Sequence, residues 1–182
     1  MKHNNLKHFS ICQKNRNKAF TLVEALVAIT VVITGILSAL ILVTRVLYST
    51  RIIQDRLTAS FLAQEGMELV RQIRDTNFIR KLQPKGEGVN WLTNMTPSKD
   101  FYIIDANKGE LKKAPSSIPY LLYDKKIGFN YTSGEVTPFQ RKIRIEQVNN
   151  NQIRVTLIMT WKTKKTEFEL EVEDHLFYWL GL

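Results

Sequence analysis

One carboxylate, Glu24, stands at the head of a long stretch without charge. The nineteen residues from Ala25 to Val43 carry none, and the next charged side chain is Arg45. A charge placed in lipid costs a few kcal/mol on insertion scales, so an ionisable residue in such a place is a functional feature by default. An ordinary anchor has no use for it. Its chemistry is that of a charge that needs a counter-charge. Other reactive groups are scarce. The only cysteine is Cys12, and two of the three histidines, His3 and His8, lie close to it, which leaves His175 alone further on. Beyond residue 19 counting therefore excludes a His/Cys zinc site, since His175 is the one such group there. A Ser-His-Asp triad would have to use His175, and no G-x-S-x-G motif accompanies it. Asp105-Ala106-Asn107-Lys108-Gly109 places its glycine one position early for a calcium loop and reads as a hairpin-like turn. No catalytic residue, metal or cofactor is expected, and the chain is not expected to be an enzyme.

The element that must carry Glu24 is a helix. Ala25–Val43 at ~1.5 Å per residue spans about 28 Å, close to one bilayer core. Before it, residues 1–19 hold Lys2, Lys7, Lys14, Arg16 and Lys18 and no acid. Positive residues stay cytoplasmic, so the C-terminal part is expected outside. A secretory signal would have a shorter apolar core followed by a small-x-small site, whereas Thr44-Arg45-Val46-Leu47-Tyr48 follows here.

Lys18-Ala19-Phe20-Thr21-Leu22-Val23-Glu24-Ala25 resembles the processing site of type IV prepilins. The family usually has Gly before the cut, where this chain has Ala19. The resemblance implies cleavage between Ala19 and Phe20 by a prepilin peptidase, N-methylation of Phe20, and Glu24 as the subunit-assembly carboxylate. The physical logic is then simple. The new Phe20 amine and the Glu24 carboxylate are both poorly solvated in lipid. Two unit charges ~4 Å apart attract by about 4 kcal/mol at an effective dielectric of 20, so a neighbour's amine would set a defined stagger between helices. A plain signal-anchor whose Glu24 snorkels to the interface is the alternative. If the leader is removed, it takes five of the 26 Lys and Arg residues, leaving 21 against 17 carboxylates, or +4 instead of +9. That weakens any nucleic-acid argument from charge.

Thr30, Thr34 and Ser38 recur at i+4 with Gly35 beside them. They form either a small hydroxyl stripe for helix–helix packing or a set of hydroxyls bonded back to their own helix. Residues 45–80 hold no Pro and one Gly, so one helix is expected from about Thr21 to Arg80, on the order of 90 Å long. Ile53, Leu57, Phe61, Leu62, Leu69 and Ile73 are read as its apolar stripe toward the C-terminal part. Gly66 costs about 1 kcal/mol relative to Ala and so marks close packing. Ala63-Gln64-Glu65-Gly66-Met67-Glu68 with Arg71, Arg74-Asp75 and Asn77, and also Thr137–Ile143 and the Trp161 strand, resemble type IV pilus modification proteins, the PilV-like minor pilins. Energetically, residues 63–77 are read as a solvated helix face with i,i+3 and i,i+4 ion pairs.

Beyond residue 80 the period changes. Residues 81–100 read as a loop in which Trp91-Leu92 docks. Strands are expected at 101–104, 120–123, 127–131, 139–148, 153–161 and 168–173, the last three as an antiparallel meander. The fold class is α+β, a pilin-like ladle. Residues 1–19 are a leader, 20–44 a transmembrane and assembly helix, 45–80 its continuation, and 81–182 an antiparallel β head. Leu176–Leu180 either tucks in or forms an interaction surface.

The resemblance implies a minor pilin, a structural subunit in assembly priming or tip modification. Its partners would be the major pilin, other minor pilins, the prepilin peptidase, the inner-membrane assembly platform and membrane lipid, without nucleic acid. A pseudopilin of a secretion or DNA-uptake machine shares the same N-terminus. A membrane-tethered binder, of DNA through Lys125, Lys126, Arg141, Lys142 and Arg144, is the reading from another class.

Overall fold

The protein is described from a computed structural model covering residues 20–84 and 89–179. Residues 1–19, the expected leader with Ala19, lie outside the described residues, as do Gly86, Gly88 and Leu180. Helix α1 runs Leu22–Leu82, one residue later at its start and two later at its end than expected. Seven strands follow: β1 Ser98–Asp105, β2 Glu110–Lys113, β3 Tyr120–Asp124, β4 Gly128–Asn130, β5 Glu135–Asn149, β6 Gln152–Thr163 and β7 Thr166–Phe177. A long helix with one antiparallel sheet makes the chain α+β. Strand β2 was not among the expected elements. With lysines at two of four positions it lacks an alternating apolar pattern, and it forms because the Asp105–Gly109 turn folds it back on β1.

The chain divides into two units, ending and resuming at Leu47 and Tyr48. In the first, every described residue is exposed except Ala25, which is intermediate. The helix there is long and apolar enough to cross a membrane.

The second unit is built on β5. Its fifteen residues pair with β6 along one edge, from Phe139↔Trp161 to Asn149↔Gln152. The other edge is shared: β1 pairs with its later half (Ser98↔Ile145, Tyr102↔Ile143) and β3 with its first half (Tyr120↔Gln140, Leu122↔Val136). The β3 register shifts between those two pairs. Pro138 lies inside the shift, where a residue without an N–H is tolerated in a sheet. The Thr137 hydroxyl bridges the same place by donating to the Leu121 carbonyl at 2.6 Å. Strand β7 pairs with β6 throughout, so β5–β6–β7 is the expected meander.

The inward side chains of β5 alternate as the pattern predicts, while in β6 Thr156 and Ile158 of the opposite face are buried as well. Phe139, Ile143 and Ile145 of β5 and Ile153, Val155, Leu157, Met159 and Trp161 of β6 are buried. They share one core with Ala59, Leu62, Ala63, Met67, Val70 and Phe78 of α1. This corrects the first half of the expected stripe, whereas Leu62 is buried in this core and Leu69 and Ile73 pack against it. Ile53, Leu57 and Phe61 are 63%, 54% and 60% exposed. The sheet lies instead on a track of small residues, Ala59, Ala63 and Gly66, because small side chains let helix and sheet approach closely. At Gly66 the fit is tight: a Cβ there would sit 2.6 Å from Leu157 Cδ1 and 3.0 Å from Arg141 Cδ.

The remaining expectations about the tail and loop resolve in the same core. Trp91 is buried and stacks on Phe78 with ring centroids 6.2 Å apart. Tyr178 and Trp179 approach the same Phe78 ring at 5.7 and 5.0 Å. The tail is tucked at Leu176 and Tyr178, the latter held also by its N–H to Asn151 O at 2.8 Å and by Lys81 Nζ to its hydroxyl at 2.6 Å, while Phe177 and Trp179 stay exposed.

Candidate functional site

At the N-terminus of α1, the backbone N–H of Glu24 donates to Thr21 Oγ1 at 3.2 Å. Thr21 is thus the N-cap and Glu24 the third residue of the helix, the spacing of a capping box. A negative side chain in a first helical turn is also favoured by the helix dipole. Neither effect requires a partner for the carboxylate. Glu24 is exposed, and among the described residues no hydrogen bond or ion pair reaches its oxygens. Phe20 lies just before the helix and is also exposed. One turn of chain therefore presents both groups without any cover from the first unit.

Along the same unit, Thr30 Oγ1 donates to Leu26 O at 2.8 Å. Thr34 Oγ1 donates to Thr30 O at 2.9 Å and Val31 O at 3.0 Å, and Ser38 Oγ to Thr34 O at 2.8 Å. In the single chain these hydroxyls satisfy their own helix. A Cβ at Gly35 would meet nothing within 4 Å, so that position is open on the stripe.

In the second unit Arg141, expected to serve a basic patch with Lys142 and Arg144, is instead fully buried. Nη1 donates to Leu62 O and to Glu65 Oε2, each at 2.9 Å, and Nη2 donates to Ile104 O at 2.8 Å. One guanidinium thus ties α1, β1 and β5 together beneath Gly66. Its planar fork of donors suits three acceptors on three elements. The signal was present in the alternation, since Arg141 lies on the same strand face as Phe139, Ile143 and Ile145. Its burial removes one cation from the candidate DNA patch. Lys142 and Arg144, on the opposite strand face, lie 4.9 and 4.7 Å from the Phe101 ring centre.

Residues 63–77 are accordingly not a solvated face. Ala63, Gly66, Met67 and Asn77 are buried. Glu65 meets Arg141. Arg71 pairs with Glu68 at 3.2 Å, as i,i+3 spacing allows, but also reaches across to Asp174 of β7 at 2.8 Å. The Asp174 bond raises the Arg71 guanidinium above its ordinary value and is the largest influence on it. Asn77 Nδ2 donates to Trp91 O at 3.1 Å and Thr93 O at 2.7 Å, which pins the turn that carries Trp91.

His175 is engaged at both ring nitrogens. Gln152 Nε2 donates to Nδ1 at 2.7 Å, which leaves Nε2–H to donate to Glu173 Oε1 at 3.0 Å. Among the described residues no group of three or more His, Cys, Asp or Glu is placed to hold a metal. Comparison of the chain with protein-family models, curated proteins and solved structures yields no match.

Proposed function

We propose that the chain is a minor, non-catalytic subunit of a type IV pilus, of the PilV-like kind. In this reading it is inserted as a prepilin with its leader inside the cytoplasmic membrane and its C-terminal unit outside. It is then cut between Ala19 and Phe20, methylated at Phe20, and drawn into a filament at the cell surface. The pilin-like ladle and the roles of the major pilin, other minor pilins, prepilin peptidase and assembly platform belong to the same proposal. The observation that carries it is Glu24: an exposed carboxylate with no partner among the described residues, at the head of an apolar helix that nothing in its own unit covers.

A neighbour's Phe20 amine is the partner of matching charge. At ~4 Å and an effective dielectric of 20 the attraction is about 4 kcal/mol, roughly a thousandfold in association. Thr30, Thr34, Gly35 and Ser38 supply the small stripe along which such helices would pack. Mass spectrometry of the mature N-terminus from native membranes tests processing: a methylated Phe20 is expected, and an intact Met1 sinks the proposal. Glu24→Ala should still insert in the membrane but be absent from sheared filaments. Its recovery there at the unmodified level would refute the assembly role.

A further inference from the structure

The two-residue β6–β7 turn brings three lysines together. Lys162, Lys164 and Lys165 surround Thr163. Two contacts seat the turn on the start of the second unit. Thr163, itself buried, donates Oγ1 to Asp55 Oδ2 at 2.7 Å. Lys164 adopts a positive φ of 56° and sets its Nζ 4.8 Å from the centre of the Tyr48 ring. Arg51, Lys162 and Lys164 then line a cleft of about 440 Å³ whose other wall includes Val136 and Tyr120. Val136 is 73% exposed, among the most exposed apolar side chains of this unit. Cations, a phenol and a bare aliphatic group thus share one rim.

The cations there are under-neutralised. Among the described residues Arg51, Lys164 and Lys165 form no ion pair, and Lys162 approaches Glu167 only at 3.7 Å. Asp55 is the one acid of the cleft and already accepts from Thr163.

Tyr48 lies four positions beyond Thr44, the last residue before the first charge at Arg45, or ~6 Å of helix. The headgroup layer extends about 5–7 Å beyond each side of the hydrocarbon core. By chain length alone, Tyr48 is within reach of the headgroup layer when the run spans a membrane. Tyr, Lys and Arg are the residues that favour that layer.

We infer that the Lys162–Lys165 turn with Arg51 is a docking surface for anionic lipid headgroups, with Val136 entering the interfacial layer. The inference rests on the reading that α1 spans a membrane. Such a contact would hold the second unit down on the bilayer, and leaving the membrane would require those phosphate contacts to break.

The test uses the full chain reconstituted in vesicles of phosphatidylcholine alone and of phosphatidylcholine with phosphatidylglycerol. Flotation in molar salt reports anchoring whatever the lipid charge, and failure to float removes the membrane reading itself. In floating samples, labelling of Lys164 and Lys165 by a membrane-impermeant amine reagent is read by peptide mass. Labelling is expected to be at least about fivefold slower on the anionic vesicles, with protection falling about fivefold per charge removed and lost in molar salt. Lys165→Glu, at an exposed turn position, should lose protection at Lys164 without a change in thermal melting, and Lys142→Glu should not. Equal labelling on both vesicles, or protection that salt leaves intact, overturns the inference. So does equal protection by duplex DNA on neutral vesicles, which would make the turn a general polyanion site.

Discussion

Gly66→Ala sets two effects of opposite sign against each other. In an open helix position the substitution stabilises by about 1 kcal/mol, because Ala keeps more of the helix propensity that Gly loses. Here the new methyl would meet Leu157 Cδ1 at 2.6 Å, Arg141 Cδ at 3.0 Å and Arg141 Nη1 at 3.3 Å. Both neighbours are fully buried, and Arg141 is held by three hydrogen bonds, so neither can swing into solvent. Overpacking of a filled core costs about 1–3 kcal/mol and distortion of the Arg141 bonds adds to it. The steric effect wins, for a net loss of about 1–2 kcal/mol, or roughly 3–8 °C in melting temperature for a unit of this size. Thermal melting of the full chain in detergent, followed by circular dichroism, measures it. Gly35→Ala is the control, since a methyl there meets nothing within 4 Å and should not lower the transition. In the double variant Gly66→Ala with Leu157→Val, the cost should fall below the sum of the single costs because the clashing Cδ1 is gone. A melting temperature raised by Gly66→Ala would refute the close approach of helix and sheet.

Arg141→Met should destabilise the second unit by about 3 kcal/mol, the low end for breaking a buried pair, because Glu65 is 40% exposed and can turn to water. Arg141→Lys should be nearly as damaging in the same denaturant titration, since an ammonium cannot reach three acceptors arranged for a planar fork. Burial pushes the Tyr131 phenol above its ordinary range. The fold therefore favours the neutral form, and this stabilising contribution is complete below the unfolded value of about 10 and is lost as pH rises through the raised folded value. Absorbance titration should show one tyrosine ionising late, and Tyr131→Phe should remove both that step and part of the alkaline loss of stability.

The parts of this fold that were legible in the sequence are those where one physical signal dominates. The uncharged run after Glu24 and the alternation in β5, β6 and β7 leave little choice of element. The helix face is legible at Leu62, Leu69 and Ile73 but not before them, because large apolar side chains point to Ile53, Leu57 and Phe61 while close packing against a sheet selects Ala59, Ala63 and Gly66. Arg141 was read by its charge and not by its strand face. Its acceptors, Leu62 O and Ile104 O, are backbone groups distant in sequence, which no local pattern can reveal. The same holds for Asn77, whose partners are two carbonyls of a later turn. Among the proposed site residues, Phe20 and Glu24 owe their legibility to contrast: a motif set against an otherwise featureless apolar helix.

Strand β5 also dictates an order of events. The β1–β2 and β3–β4 hairpins close over short loops and can form as soon as their residues exist. Neither has a neighbour on its inner side until Glu135–Asn149 is made, because both rest on the same edge of that one strand. The guanidinium that fastens the sheet under Gly66 arrives on the same strand. Long-range pairings of this kind are the slow steps of folding, since chain entropy must be lost before the contacts compensate it. A chain delivered amino end first would therefore keep both hairpins unattached and the helix track bare until β5 emerges, and would complete its core only with β6, which supplies Ile153, Val155, Leu157, Met159 and Trp161.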